Sequence, residues 1–325
     1  MRFFAFFFEL LELPFRWAQR MLGVQKLGWL FVAPNLIVFG CFTFLPILIN
    51  FIYAATGGVK LMPFDRPYVG AENFQILFEC RNYLDISTCR KDVFWRSILN
   101  TLKFSLIQVV LMVLFSLLTA LVLNRKIIGR GFWRGVFFYP VLLSPVVVAL
   151  IWKWLLQSQG AFNAALVASG SQPIEWLTDA GWAFFWTVFV SIWAHMGFYT
   201  LILLAGLQAI PKDLYEAAEM DRASPWRTLR RITLPLLMPN LIVVLVLAAI
   251  RAVQVFDEVF VLTGGGPGSA TTFIVQFIYQ TGFAEQIHLY GLAAAASLTL
   301  AVFLILLTVA QLRLTRASEQ GQRAR

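Results

Sequence analysis

Residues 27–55 read LGWLFVAPNLIVFGCFTFLPILINFIYAA, a run from Leu27 to Ala55 without one charged side chain. A helix needs about 20 mainly apolar residues to cross the hydrocarbon of a bilayer, and this run exceeds that. Pro34 and Pro46 fall inside it, which is tolerable where neighbouring helices satisfy the freed backbone groups. Five further stretches meet the same test: Ser97–Leu123, Val136–Leu156, Gly181–Ile210, Ile232–Ile250 continuing past Arg251 toward Leu262, and Leu289–Leu312. None shows the strict alternation of a membrane barrel strand, and an open sheet cannot exist in lipid. The expected fold is an all-α membrane protein with six transmembrane helices.

Composition agrees. Of 325 residues, 59% are hydrophobic and 13% charged, against about 45–50% and about 25% in soluble proteins. Mean hydropathy is +0.75. A soluble enzyme and a disordered chain are both excluded, and 3 cysteines are too few for a disulfide scaffold. The formal charge of +9 has a topological explanation. Basic residues crowd four segments: Arg2 to Lys26, Arg125 to Arg134, Lys212 to Arg231, and Arg313 to Arg325. On the other side they occur in one loop only, 56–96, while 157–180 and 263–288 contain neither Lys nor Arg. The positive-inside bias therefore places both termini in the cytoplasm, and no nucleic-acid partner is needed. Residues 1–26 are expected to form a cytoplasmic or interfacial segment, 27–313 the six-span domain, and 314–325 a cytoplasmic tail. Cys80 and Cys89 share the outer loop and are read equally as a disulfide or as two free thiols. Cys41 reads as a small apolar residue within its span.

The inner connection between spans four and five is more than a turn. Residues 210–237 read IPKDLYEAAEMDRASPWRTLRRITLPLL. Pro211 and Asp213 suit a helix start, and Ala223-Ser224-Pro225 reads as a break, with Ser224 the N-cap of a second helix. Trp226, Leu229 and Ile232 give that second helix an apolar face. Glu216-Ala217-Ala218, followed at the expected spacing by Ile232-Thr233-Leu234-Pro235, resembles the signature of permease subunits of ATP-binding-cassette importers. The surrounding text and FDEVFVLTGGGPGSATT (256–272) are similar to the carbohydrate branch of that family.

The resemblance implies that loop 211–231 is a coupling helix docking on an ATPase subunit. Glu216, Ala217, Ala218 and Asp221, with Arg222 and Ala223 beside them, would then form the ATPase-coupling surface. It also implies a second permease, making a heterodimer, and two ATPase subunits that use ATP and Mg. A sugar-binding protein would stand outside the membrane, and the multi-pass chain would sit in the bacterial inner membrane. Arg222 stands where the family has glycine; either the turn there is ordinary, which is the favoured expectation, or Arg222 makes a compensating contact with the partner.

This chain carries no G-x-x-x-x-G-K-[ST] phosphate loop, nucleophile elbow, HExxH or metal-ligand spacing, so it is expected not to be an enzyme and to bind no cofactor or metal itself. His195 and His288 stand far apart in sequence. Gly264–Gly268 reads as a flexible outer turn. Arg251, Gln254, Asp257 and Glu258 recur at spacings of three and four and, on a continuing helix, share one face. They are the expected substrate-pathway stripe, with Trp152 and Phe256 as aromatic candidates beside Trp154, Trp193 and Tyr199. A structural reading competes: belt or core packing for the aromatics, and a salt bridge from Arg251 to Asp257 or Glu258. A cation at 251 would also suit an anionic sugar. Residues 271–284 are apolar but too short to span, and are expected to form a re-entrant or interfacial helix. The rival class, a self-sufficient secondary transporter or channel, leaves the docking loop unexplained.

Overall fold

In the computed structural model, residues 31–323 are described together with Gln19, Gly23 and Trp29, with side chains through Arg313. The interfacial reading of residues 1–26 therefore falls almost wholly outside the described residues. Within them the chain is helical, without strands. Five helices are long and apolar enough to cross a membrane: α1 (Phe31–Ala54), α3 (Asp92–Asn124), α7 (Ala180–Ala209), α9 (Pro225–Val253) and α12, which runs Tyr290–Arg323. Four shorter helices intervene before α9: α2 (Glu72–Phe78), α4 (Arg130–Phe138), α5 (Pro145–Leu156) and α6 (Ala161–Ala168). Another, α8 (Asp213–Met220), lies in the connection between α7 and α9. Two more, α10 (Asp257–Leu262) and α11 (Ile274–Tyr279), separate α9 from α12.

The third expected span is not one helix. The segment Arg130–Leu142 and the segment Pro145–Ala168 meet at a bend of 100°. Pro140 and Pro145 remove two backbone donors, and the residue before a proline is pushed away from helical geometry. Ser144 accordingly stands at ψ 138. Counted as one broken span, the pair brings the total to six.

Packing follows the apolar periodicity. On α3 the buried residues Ser97, Thr101, Phe104, Gln108, Met112, Ser116, Ala120 and Leu123 recur every three or four positions and form one stripe. That stripe lies against α7, the most enclosed helix. Two glycines of α7 allow its neighbours in. A Cβ on Gly197 would lie 2.3 Å from the Phe137 carbonyl oxygen, and one on Gly206 would lie 2.5 Å from the Asn240 side chain. By contrast α1 lies on the outside of the chain, fastened to α12 by a 2.7 Å bond from Asn50 Nδ2 to Ser297 Oγ.

Loop 56–96 is a folded unit. Arg66 is buried between the Tyr53 and Tyr290 rings and donates to Thr56 Oγ1 (3.0 Å) and the Lys60 carbonyl (2.7 Å). Cys80 and Cys89 form a disulfide. Residues 264–268 are not a loose turn either. Gly265 has φ +94, and a Cβ there would meet Gln276 Nε2 at 2.6 Å. Thr271 and Thr272 donate to the carbonyls of Gly266 (2.7 Å) and Gly265 (3.1 Å). These bonds hold the glycines against the segment that leads into α11, whose Ile274, Gln276 and Phe277 are buried.

Candidate substrate pathway and docking loop

The structure breaks the stripe expected on the fifth span. Helix α9 ends at Val253; Gln254 stands at φ −96, ψ 12 and Phe256 at φ −148, ψ −63, outside helical geometry. The next helix, α10, therefore presents its side chains in new directions. Arg251 points into a cleft of ≈ 490 Å³ lined by Val141, Leu143, Pro145, His195, Tyr199 and Leu247. Gln254 and Asp257 are exposed, and Glu258 is buried. Phe256 stacks on Phe260 (5.3 Å) and Tyr279 (5.2 Å). Trp152 joins an aromatic cluster with Trp186 (5.6 Å), Phe189 (5.2 Å) and Trp193 (5.6 Å). Of the stripe, the structure thus leaves Arg251 in the cleft while Gln254, Asp257 and Glu258 do not line it, because a one-face stripe needs an unbroken helix.

No salt bridge joins Arg251 to Asp257 or Glu258; the ion pairs among the described residues are Arg90–Glu79 and Arg96–Asp92. Instead Arg251 Nη2 contacts His195 Nε2. Nδ1 of that ring lies 2.8 Å from the Ser191 carbonyl oxygen. A carbonyl only accepts, so the proton sits on Nδ1 and the free Nε2 lone pair receives Arg251. In the sequence His195 has no metal-ligand spacing to another histidine or cysteine. Its role was readable in another way. Ser191 and His195 lie four apart in a helix without Asp, Glu, Lys or Arg, so both face one side.

Behind the cleft runs a buried polar chain. Gln108 Nε2 on α3 donates to Ser191 Oγ (3.0 Å), and Ser191 Oγ donates to Glu258 Oε1 (3.1 Å). All three residues are below 5% exposure, at 2%, 1% and 4%. Lys153, the intramembrane cation of α5, donates from Nζ to the Val261 carbonyl at the far end of α10 (3.0 Å). A cation at a helix C-terminus complements the unpaired carbonyls there.

Beyond the C-terminal end of α7 lies the connection 211–231, the candidate docking loop. Helix α8 carries Asp213 and Glu216 in its first turn. Glu216, Ala217, Asp221 and Arg222 are exposed, whereas Ala218 is buried against the chain itself. The Tyr215 hydroxyl lies 3.2 Å from Thr233 Oγ1 and ties α8 to α9. The ordinary turn expected at Arg222 is not found: its φ is 51. The helix ends in a Schellman motif, with Ala223 N–H donating to the Ala218 carbonyl (2.9 Å) and Arg222 N–H to the Glu219 carbonyl (2.9 Å). That closure requires a left-handed residue at 222, which costs arginine about 1 kcal/mol relative to glycine. Ser224 then caps α9, accepting from Arg227 N–H at 3.4 Å, with Pro225 at its first position as expected. Met220 (86% exposed) and Trp226 (68%) stand out from the loop's surface.

Residues 112–320 match the family described as binding-protein-dependent transport system inner membrane component. The chain belongs to this family. It is 39% identical over 292 residues to the trehalose/maltose transport system permease protein MalF of Thermococcus litoralis, across 90% of this chain and 94% of that one. It is 30% identical over 289 residues to the lactose transport system permease protein LacF of Rhizobium radiobacter (87% and 92%). Among solved structures it resembles a chain of a bacterial alginate ABC transporter in complex with an alginate pentasaccharide-bound periplasmic protein. The TM-score there is 0.76 at 25% identity, covering 92% of this chain and 97% of that one. The chain is a multi-pass inner-membrane permease subunit of an ABC importer, and the self-sufficient transporter or channel is set aside.

Proposed function

We propose that this permease carries a sugar or sugar derivative inward, and that the Arg251–His195 cleft is a station on its path. The observation that carries this reading is a guanidinium without an ion pair, held by a neutral imidazole in a membrane-interior cleft beside Tyr199. Such a group offers several donors to sugar hydroxyls, or a fork for the carboxylate of an acidic sugar. Relatives handling trehalose, maltose or lactose, and the structural neighbour handling alginate, support a carbohydrate cargo.

Energy would come from two separate ATPase subunits using ATP and Mg. They would grip loop 211–231 through Glu216, Ala217 and Asp221, with Arg222 closing the turn beside them and both termini on the same cytoplasmic side. A second permease would complete the pathway, and an extracytoplasmic binding protein would meet loop 56–96.

Reconstitution of the assembled complex in liposomes tests the reading. Sugar-dependent uptake driven by internal ATP is expected, and it should fall about tenfold in Arg251→Gln without loss of assembly. Loss of uptake for acidic sugars only would assign Arg251 to a carboxylate; loss for neutral sugars as well would assign it to hydroxyls. Unchanged uptake of every sugar would remove the cleft from the path.

A further inference from the structure

The break at 254–256 contains neither proline nor glycine, so nothing local ends α9 there. What holds it is a pair of side chains on either flank, both gripping one turn of α7. Arg251, before the break, contacts His195; Glu258, after it, accepts from Ser191, one turn earlier on the same helix. His195 is in turn anchored on the Ser191 carbonyl. The path Arg251–His195–Ser191–Glu258 therefore closes a ring with the backbone of 251–258.

Glu258 is an expensive residue for its place. Its carboxylate is buried at 4% exposure and takes its hydrogen bond from a hydroxyl rather than a cation. The two cations facing this region are engaged elsewhere, Arg251 on His195 and Lys153 on the Val261 carbonyl. A fold that required only stability would be served as well by an apolar side chain of similar volume. Gln108 Oε1 also lies buried without a partner beside the same serine, a second group whose burial the packing alone does not repay.

We propose that Glu258 is a positioning residue for the Arg251–His195 cleft, acting through Ser191. Its bond fixes α10 against α7 and so sets where the chain re-enters after the break, which determines how Arg251 presents itself to substrate. The inference rests on the reading of that cleft as a sugar path, but its first test does not.

Nitroxide labels at Phe189 on α7 and Phe260 on α10, in a Cys41→Ser background, report the separation of the two helices in the assembled complex in nanodiscs. Glu258→Ala should broaden the distance distribution, Ser191→Ala should broaden it less, and Glu258→Gln, which still accepts the serine hydrogen bond, should leave it as in the parent. In transport assays with maltose, trehalose and an alginate oligosaccharide as probes, Glu258→Ala should raise the half-saturating concentration at least fivefold. The maximal rate per assembled complex should stay within twofold, and Glu258→Gln should restore the parent value. A merely structural role would reduce assembled protein without that split. An unchanged distance distribution in Glu258→Ala, or a Glu258→Gln variant as impaired as Glu258→Ala, overturns the proposal. Should Glu258→Ala fail to assemble, Ser191→Ala and Glu258→Gln still decide between the outcomes. If the parent complex transports none of the probes, the sugar-path reading fails while the distance measurement continues to judge Glu258.

Discussion

Loop 211–231 and the break at 254–256 both interrupt helix, yet for opposite reasons. The loop's interruption is written in its own residues: Ser224 and Pro225 start the second helix, and the first ends in a Schellman turn. Residues 254–256, Gln-Val-Phe, favour no turn at all. There the chain bends because Val253 and Val255 are drawn into the core and because Arg251 and Glu258 are held by α7. The loop is a local device with an exposed surface, proposed above to meet an ATPase subunit; the break is a tertiary device that shapes an interior. Substitutions should therefore act through assembly in the first and through the chain's own packing in the second.

The largest expected effect lies near the break, where α7 meets the broken third span. Gly197→Val forces a side chain against the Phe137 carbonyl, and overpacking of that kind costs about 1–3 kcal/mol or more. A sharp fall in the melting temperature of detergent-solubilised permease is expected, whether or not ATPase subunits are present. Unchanged melting would mean that helix packing there is looser than the close approach implies.

Next comes a pair of adjacent alanines that separates the two kinds of interruption within one helix. Ala217 is exposed and Ala218 is buried. Ala217→Leu should leave the permease as stable as its parent while reducing co-purification of an ATPase subunit about tenfold. Ala218→Leu should lower the stability of the permease alone by about 1–3 kcal/mol, measured by thermal unfolding. If both variants behave alike, the division of the loop into a partner-facing and a chain-facing side is mistaken.

Smaller again is the effect of the cap. Ser224→Ala should destabilise the start of α9 by about 1 kcal/mol, read as faster amide exchange in residues 226–229. The smallest effect concerns Arg222. Arg222→Gly relieves a left-handed arginine and should stabilise the loop by about 1 kcal/mol, with ATPase docking intact. Complete loss of docking would show instead that the arginine side chain is itself a contact.

Much of this was legible in the residues. The spans at 31–54, 92–124, 180–209 and 290–313 needed only apolar length, a requirement lipid imposes on any crossing helix. The cap at Ser224 and the helix start at Pro225 needed only local chemistry. Missing was the left-handed turn at Arg222, because arginine gives no sign of the φ it is held in. Missing too was the 100° bend of the third span, although Pro140 and Pro145 were in view. Their spacing announces two interruptions but not the direction in which the chain leaves them. The expected stripe of Arg251, Gln254, Asp257 and Glu258 failed because helical periodicity holds only while the helix lasts.

By itself, then, the sequence determined that this chain lives in a membrane, which stretches are apolar enough to cross it, and where the connection 211–231 starts its second helix. Each follows from hydrophobic length, charge placement or turn chemistry, which act over a few residues at a time. The tertiary structure decided which intramembrane polar groups meet: His195 with Arg251, Ser191 with Glu258 and Gln108. Those pairings join residues up to 83 positions apart, and only the packing of helices against one another sets them.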